Sequence, residues 1–270
     1  MQRTEIADFV VARLEPEVEA LRRAWLASGR IRHFAIDDVL PEEIAHRIRA
    51  AFPPPDAMQI KRSLRELKFV AAQMDRYDPL LEEAIFAFQD PRVVALVGRI
   101  TGLQQLEPDE QLYAGGISVM VQGQFLNPHL DNSHDLARER YRVLNLLYYV
   151  SPGWQLANGG NLEVWPEGPK GEQITIESRF NRLAVMLTDR TSWHSVSPVQ
   201  AAQARCCVSN YYFSKVSPES ADYYHVTSFR GRPEQKLRDL VLRADIALRT
   251  FVRTRFPKAF ANKHFYDKKP

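Results

Sequence analysis

His129 and Asp131 stand two positions apart in the run Gly123-Gln124-Phe125-Leu126-Asn127-Pro128-His129-Leu130-Asp131-Asn132, which reads as a strand. Residues i and i+2 of a strand share a face, so an imidazole nitrogen and a carboxylate oxygen can converge on one ion. Two ligands do not fix a metal. The best third candidate is His194, 65 residues on, in Thr191-Ser192-Trp193-His194-Ser195-Val196, and the apolar run Leu183–Leu187 leads toward it. Eleven residues further, Arg205 heads the strand-like run Cys206–Phe213. Two imidazoles and one carboxylate on one side of a metal leave its other positions open. An arginine nearby offers a planar fork for a carboxylate. A rival pair, His134 and Asp135, is adjacent in sequence and would point apart on a strand, which suits a supporting or substrate-facing place better than ligation. His225 has no strand partner of the right kind and reads as structural.

The order His-x-Asp, distal His, then Arg resembles the Fe(II)/2-oxoglutarate-dependent dioxygenases. The run Gly123–Asn132 and the segment Gly159-Gly160-Asn161-Leu162-Glu163-Val164-Trp165-Pro166 are similar to the prolyl-4-hydroxylase-like branch, and the likeness covers roughly residues 111–215. The resemblance implies Fe(II) held by His129, Asp131 and His194, and 2-oxoglutarate held at its far carboxylate by Arg205. It implies O2 as cosubstrate, succinate and CO2 as by-products, and ascorbate as an optional addition. The activity implied is hydroxylation of an unactivated C–H in a small-molecule or peptide substrate that the sequence does not name. Asp131 argues against a halogenase, in which a small residue replaces that carboxylate. Two departures stand out. Relatives place an oxoacid-contacting Tyr where this chain has Met120, and Tyr113 and Asn145 are the candidates to replace its hydrogen bond. Many relatives also carry Ser where this chain has Cys207. The rival reading from another class is a non-catalytic, cupin-like metal-binding or sensor protein; the complete triad plus Arg205 favours the enzyme.

These residues need strands to carry them. From about Tyr113 the texture becomes short β-rich runs with turn signals: Ile117–Val121, Val143–Val150, Gly160–Trp165, Gln173–Glu177, Leu183–Leu187 and Cys206–Phe213. That pattern predicts a two-sheet sandwich or jelly roll. The fold class expected is α+β with a mainly β core, a double-stranded β-helix flanked by N- and C-terminal helices. Helical periodicity covers 5–28, a turn into a helix follows Pro41, a helical pair spans 79–101, and a last helix runs from about Pro233 to Arg255. The organisation expected is an N-terminal helical region over 1–110 with the first strands, a core over 111–215, and a C-terminal loop and helix over 216–270. Residues 56–78 mix Lys61, Arg62, Arg65 and Lys68 with Phe69, Val70 and Met74. With the stretch after Pro218 they read as a cover over the open side of the site, an ordinary surface helix being the alternative. The tail Asp267–Pro270 reads as frayed. Gly159-Gly160 reads as a tight turn, Trp154, Trp165 and Trp193 as core or rim, and Arg230 and Arg232 as a solvated loop.

Hydrophobic residues make up 45% of 270, enough for a packed core and too many for disorder. The charge balance, 36 basic against 33 acidic, gives no nucleic-acid footprint. No run approaches a membrane span, and the amphipathic N-terminus lacks a signal-peptide core, so a cytoplasmic location is expected. Cys206 and Cys207 are neighbours on a strand and should face opposite ways, which speaks against a mutual disulfide. Oligomeric state is not legible.

Overall fold

The computed structural model describes residues 1–219, 221–255 and Tyr266. The chain starts with helices α1 (Arg3–Leu14) and α2 (Val18–Ala27). The single helix expected over 5–28 is interrupted by a 3-10 turn, Glu15–Glu17, because Pro16 has no N–H to continue the ladder. Strand β1 (His33–Ile36) and helix α3 (Glu42–Ala51) follow. Strands β2 (Gln59–Arg62) and β3 (Glu66–Ala71) then form a hairpin. Residues 59–71 are therefore sheet, not the loop or helix expected. Helices α4 (Pro79–Ala87) and α5 (Pro91–Thr101) each open on proline at the first position, with Asp78 and Asp90 accepting a hydrogen bond from a first-turn amide.

The remaining strands are β4 (Glu107–Pro108), β5 (Gly116–Met120), β6 (Phe125–Leu130), β7 (Tyr141–Tyr149), β8 (Leu162–Val164), β9 (Ile174–Ile176), β10 (Arg182–Leu187), β11 (His194–Val196), β12 (Arg205–Ser214) and β13 (Ser228–Phe229). Helix α6 (Lys236–Arg255) starts three residues later than expected. The expected frayed tail, 267–270, lies outside the described residues.

All strand pairs are antiparallel, in the order β1-β10-β7-β12-β5-β3-β6-β11-β8-β9, with β2 on β3, β4 on β12 and β13 on β6. Strand β3 makes the seam. Its residues Phe69–Ala71 pair with β5, while Glu66 and Leu67 pair with β6. The sheet thereby wraps into a nearly closed double-stranded β-helix, or jelly roll, with helices outside. Four of its strands, β1 to β4, come from the first 110 residues.

Strand alternation sorts the side chains. Along β12, Cys206, Val208 and Tyr212 join the large core shared with α1, α2, α4 and α5, while Cys207 joins the cluster inside the barrel. Along β7, Leu144, Leu146 and Tyr148 face the helices and Tyr149 faces inward. The two cysteines are both free and buried, and they belong to different cores. Gly159 closes the expected turn with a left-handed φ of 67°, where a Cβ would run into the Pro198 carbonyl. Among the described residues, no helix is long and apolar enough to cross a membrane.

Candidate active site

Strands β6 and β11 lie side by side with His129 directly opposite His194, and their imidazole centroids are 4.1 Å apart. Asp131 lies just past the end of β6, on the same side as His129. Its oxygens sit 3.6 Å from His129 Nε2 and 3.5 Å from His194 Nε2. One donor atom from each of the three residues lies within 4.8 Å of the others. Each His presents Nε2 for a reason visible in the backbone. His129 Nδ1 is 3.0 Å from the Asn127 carbonyl and His194 Nδ1 is 2.9 Å from the Ser192 carbonyl. A carbonyl oxygen can only accept, so each Nδ1 carries the proton and each Nε2 keeps its lone pair. Carbonyl partners of this kind fix the tautomer of metal-binding histidines.

Burial, then the neighbouring His194, push the His129 imidazole down to about 3, so it is neutral at ordinary pH, with a lone pair on Nε2. Burial alone would push the Asp131 carboxyl up. The Arg142 guanidinium, both imidazoles and an Asn145 hydrogen bond outweigh it and hold Asp131 well below the usual carboxylate range. Arg142 Nη1 is 3.2 Å from Asp131 Oδ1, and Asn145 Nδ2 donates to Oδ2 at 2.9 Å. Arg142 lies over the Tyr211 ring at 4.5 Å and is almost fully buried. This donor set, two neutral imidazole nitrogens and one ionised carboxylate, fits a divalent cation such as Fe(II).

Arg205 opens β12 opposite Met120 and is 3% exposed. Among the described residues it makes no ion pair. Its Nη1 has only the Met120 sulfur, at 4.0 Å, and its Nε has no hydrogen-bond partner. The guanidinium lies 4.8 Å from the Tyr149 ring centre. The Tyr149 hydroxyl is buried without a well-formed hydrogen bond, and burial pushes it up to about 12, so it stays a neutral donor. A buried cation without a counter-charge, beside a neutral buried hydroxyl, fits a ligand carboxylate.

Tyr113 and Asn145 gather at the Asp131 end and not at Arg205. The Tyr113 hydroxyl is 3.4 Å from Asn132 Nδ2, and Asn145 spends one N–H on Asp131. His134 hydrogen-bonds Ser133 and packs on Tyr141, while Asp135 pairs with Arg140; neither joins the converging donors. Arg230 and Arg232 are not a solvated loop. Arg230 pairs with Asp239 of α6, and Arg232 is buried on Glu163. Trp154 and Trp165 are buried, each with its indole N–H donated inside the fold.

Sequence reasoning passed over Arg142 and Tyr149. Their signal was an arginine and a paired tyrosine inside an apolar strand, where burial demands partners. A cavity of about 580 Å³ lies between the β2–β3 hairpin and β5–β12, with Lys68, Tyr113, Ser118, Ser209 and Tyr211 on its walls. Tyr211 links it to the Arg142–Asp131 pair.

Comparison with known proteins agrees with this geometry. Residues 115–213 match the 2OG-Fe(II) oxygenase superfamily. Egl nine homolog 1 of Rattus norvegicus is 30% identical over 104 residues, which are 38% of this chain and 29% of that protein. The chain thus spans less than a third of that relative's length. A prolyl hydroxylase from Trichoplax adhaerens, solved with a hypoxia inducible factor oxygen degradation domain peptide fragment, has a similar fold. Its TM-score is 0.53 at 18% identity, over 76% of this chain and 92% of that one. SnoK, a non-heme alpha ketoglutarate dependent carbocyclase from nogalamycin biosynthesis, gives 0.57 at 15% identity, over 83% and 91%. The matched stretch, well under half of the chain, contains His129, Asp131, His194 and Arg205.

Proposed function

We propose that the protein is an Fe(II)/2-oxoglutarate-dependent dioxygenase that hydroxylates an unactivated C–H bond. The observation that carries this reading is the convergence of His129, Asp131 and His194 with both imidazole tautomers already set by main-chain carbonyls. The bound iron, with the oxoacid and O2, supplies the oxidising chemistry and releases succinate and CO2. The chain's own residues do the rest. His129, Asp131 and His194 hold the metal. Arg142 and Asn145 keep Asp131 ionised and aimed. Arg205 and the Tyr149 hydroxyl hold the far carboxylate of 2-oxoglutarate, the role the empty fork of Arg205 supports. Asn145 has a second N–H for the oxoacid's near end, and Tyr113 lines the approach through the cavity beside Tyr211. Phe229 stacks on His129 at 5.0 Å and shields that ligand from water.

On this reading residues 111–215 form the catalytic core, and the β2–β3 hairpin with the stretch after Pro218 frames the entrance. The substrate is a peptide or a small molecule; the Trichoplax enzyme was solved with a peptide, and SnoK is a carbocyclase from nogalamycin biosynthesis. The test is to count succinate formed from 2-oxoglutarate by iron-loaded protein against His129→Ala and His194→Ala. Succinate from the parent protein, lost in both variants, is expected. Succinate formation that survives in either variant rejects the assignment.

A further inference from the structure

The β2–β3 hairpin turns one face toward the barrel interior. Gln59 and Lys61 stand directly opposite Val70 and Lys68, and Val70 stands opposite Ser118 of β5. Ser118 in turn pairs with Cys207 of β12, which sits in the cluster inside the barrel. Directly opposite residues share a face, and every second residue of a strand returns to it. Gln59, Lys61, Glu66, Lys68 and Val70 therefore face inward, whereas Phe69, between Lys68 and Val70, packs on the outer core. On β12 the same face continues from Cys207 to Ser209 and Tyr211. Tyr211 stands opposite Asn145, the residue that donates to Asp131. One continuous face thus runs from the hairpin lysines to the metal site. The cavity of about 580 Å³ lies along it, and Lys61, Lys68, Ser118, Ser209 and Tyr211 all line it.

The charge in this cavity does not balance. Lys68 Nζ pairs with Glu66 Oε2 at 3.1 Å, and both side chains are largely buried. Lys61 lies directly across from Lys68, and among the described residues it makes no ion pair. Like charges directly opposite on paired strands, with Cβ atoms about 5 Å apart, destabilise the pairing. Arg76 adds a third cation to the walls, and among the described lining residues Glu66 is the only acid. Half-buried cations in excess call for an anion, and ammonium groups hold carboxylate and phosphate oxygens by charge-assisted hydrogen bonds. The Ser118 and Ser209 hydroxyls add neutral donors on the same wall. The volume is that of a small-molecule site.

We propose that Lys61 and Lys68 are specificity-determining residues that hold an anionic oxygen group, a carboxylate or a phosphate, of a small-molecule substrate in the cavity beside the metal site. The proposal rests on the oxygenase reading above and narrows its substrate class to acids.

The test uses the whole chain loaded with Mn(II) and saturating 2-oxoglutarate under nitrogen, so that Arg205 is occupied and binding is read without turnover. Calorimetry compares two matched series: N-acetylated amino acids against their amides, and hexose phosphates against the free hexoses. A preference for the anion in the first series identifies a carboxylate, and in the second a phosphate. The anionic member is expected to bind at least tenfold more tightly than its neutral counterpart. Lys61→Met keeps the apolar stem and loses the charge, so that preference should fall roughly tenfold, the scale of one charge-assisted hydrogen bond. Lys68→Met should do the same, because Glu66 is then left to face Lys61. Lys61→Arg should keep most of the preference. Lys170→Met removes the same charge from an exposed position outside the cavity and should bind like the parent. No preference for the anion in either series overturns the proposal. So does a preference that Lys61→Met leaves intact, or one that Lys170→Met lowers equally. Binding of 2-oxoglutarate is measured first. Its absence from the parent protein would count against the oxygenase reading, whereas its presence with any of these negative outcomes counts against the lysines alone.

Discussion

Replacing Arg205 by Met should move stability in opposite directions with and without 2-oxoglutarate. Without the oxoacid, Arg205 is a cation 3% exposed whose guanidinium has a sulfur at 4.0 Å and an aromatic face at 4.8 Å, and no carboxylate. An unsatisfied buried polar group costs about 1–3 kcal/mol, and a charge costs more. Met has a similar length and no such cost. In a domain of this size each kcal/mol shifts Tm by roughly 2–4 °C, so the metal-loaded, oxoacid-free variant should melt several degrees above the parent. With the oxoacid the order reverses. At a concentration of about 100 Kd the parent protein gains about 2.7 kcal/mol, or roughly 5–10 °C. Each charged hydrogen bond from the fork contributes about 1.5–3 kcal/mol, so losing two raises Kd by roughly two to four powers of ten. The same 2-oxoglutarate concentration then falls at or below the variant's Kd, and its shift shrinks to about 1 °C or less. Differential scanning fluorimetry with Mn(II) in place of Fe(II) reads both effects. An Arg205→Met protein that melts below the parent without oxoacid, or keeps the full 2-oxoglutarate shift, refutes the argument.

Asp131→Ala should destabilise the metal-free fold by about 3–5 kcal/mol, because it strands the buried Arg142, while His129→Ala should remove metal binding and leave the fold nearly unchanged; denaturant titrations in chelator compare them. Asn145→Leu removes the amide that orients Asp131, and metal titration should find affinity weakened roughly 10- to 100-fold. Burial lowers the pKa of His134 and of His225 from 6.5, so below that pH the unfolded chain takes up protons that the folded chain refuses. Stability should therefore fall as pH drops through 6.5, and a His134→Asn/His225→Asn protein should show a smaller fall in its urea midpoint between about pH 7.5 and 5.5. Gly159→Ala should destabilise by at least the roughly 1–3 kcal/mol of a strained backbone, since the new methyl also meets the Pro198 carbonyl; thermal melting measures it.

The parts of the site legible in the sequence are those where chemistry and strand period coincide. His129 and Asp131 at i and i+2, His194 at the head of a short strand and Arg205 at the head of a long one could be read because each interrupts an apolar pattern with a group that needs a partner. Hairpin β2–β3 was not legible. Its strands are polar on both faces, as Gln59-Ile60-Lys61-Arg62 and Glu66-Leu67-Lys68 show, and its turn, Ser63-Leu64-Arg65, carries neither glycine nor proline. Only the closure of the barrel explains why it is sheet, since β5 and β6 each need an edge partner. Arg142 was passed over because its partner Asp131 is eleven residues away and meets it only once β6 and β7 are placed.

The order of strands in the sheet has a consequence for synthesis on the ribosome. Strand β1 pairs with β10, about 150 residues later, and β3 waits about 50 residues for β5. At roughly 5–20 residues per second, β1 spends about 8–30 s without its partner. Phe34 and Ile36 are apolar and would be sticky throughout that interval. The helix made just before them is ready to cover part of this strand, with Trp25 of α2 set edge-on against Phe34. The N-terminal helices therefore act as an internal escort for an orphan strand until β10 emerges. Shortening the chain from its N-terminus past Trp25 should show up first as aggregation of nascent protein, before any loss of metal binding in the fraction that folds.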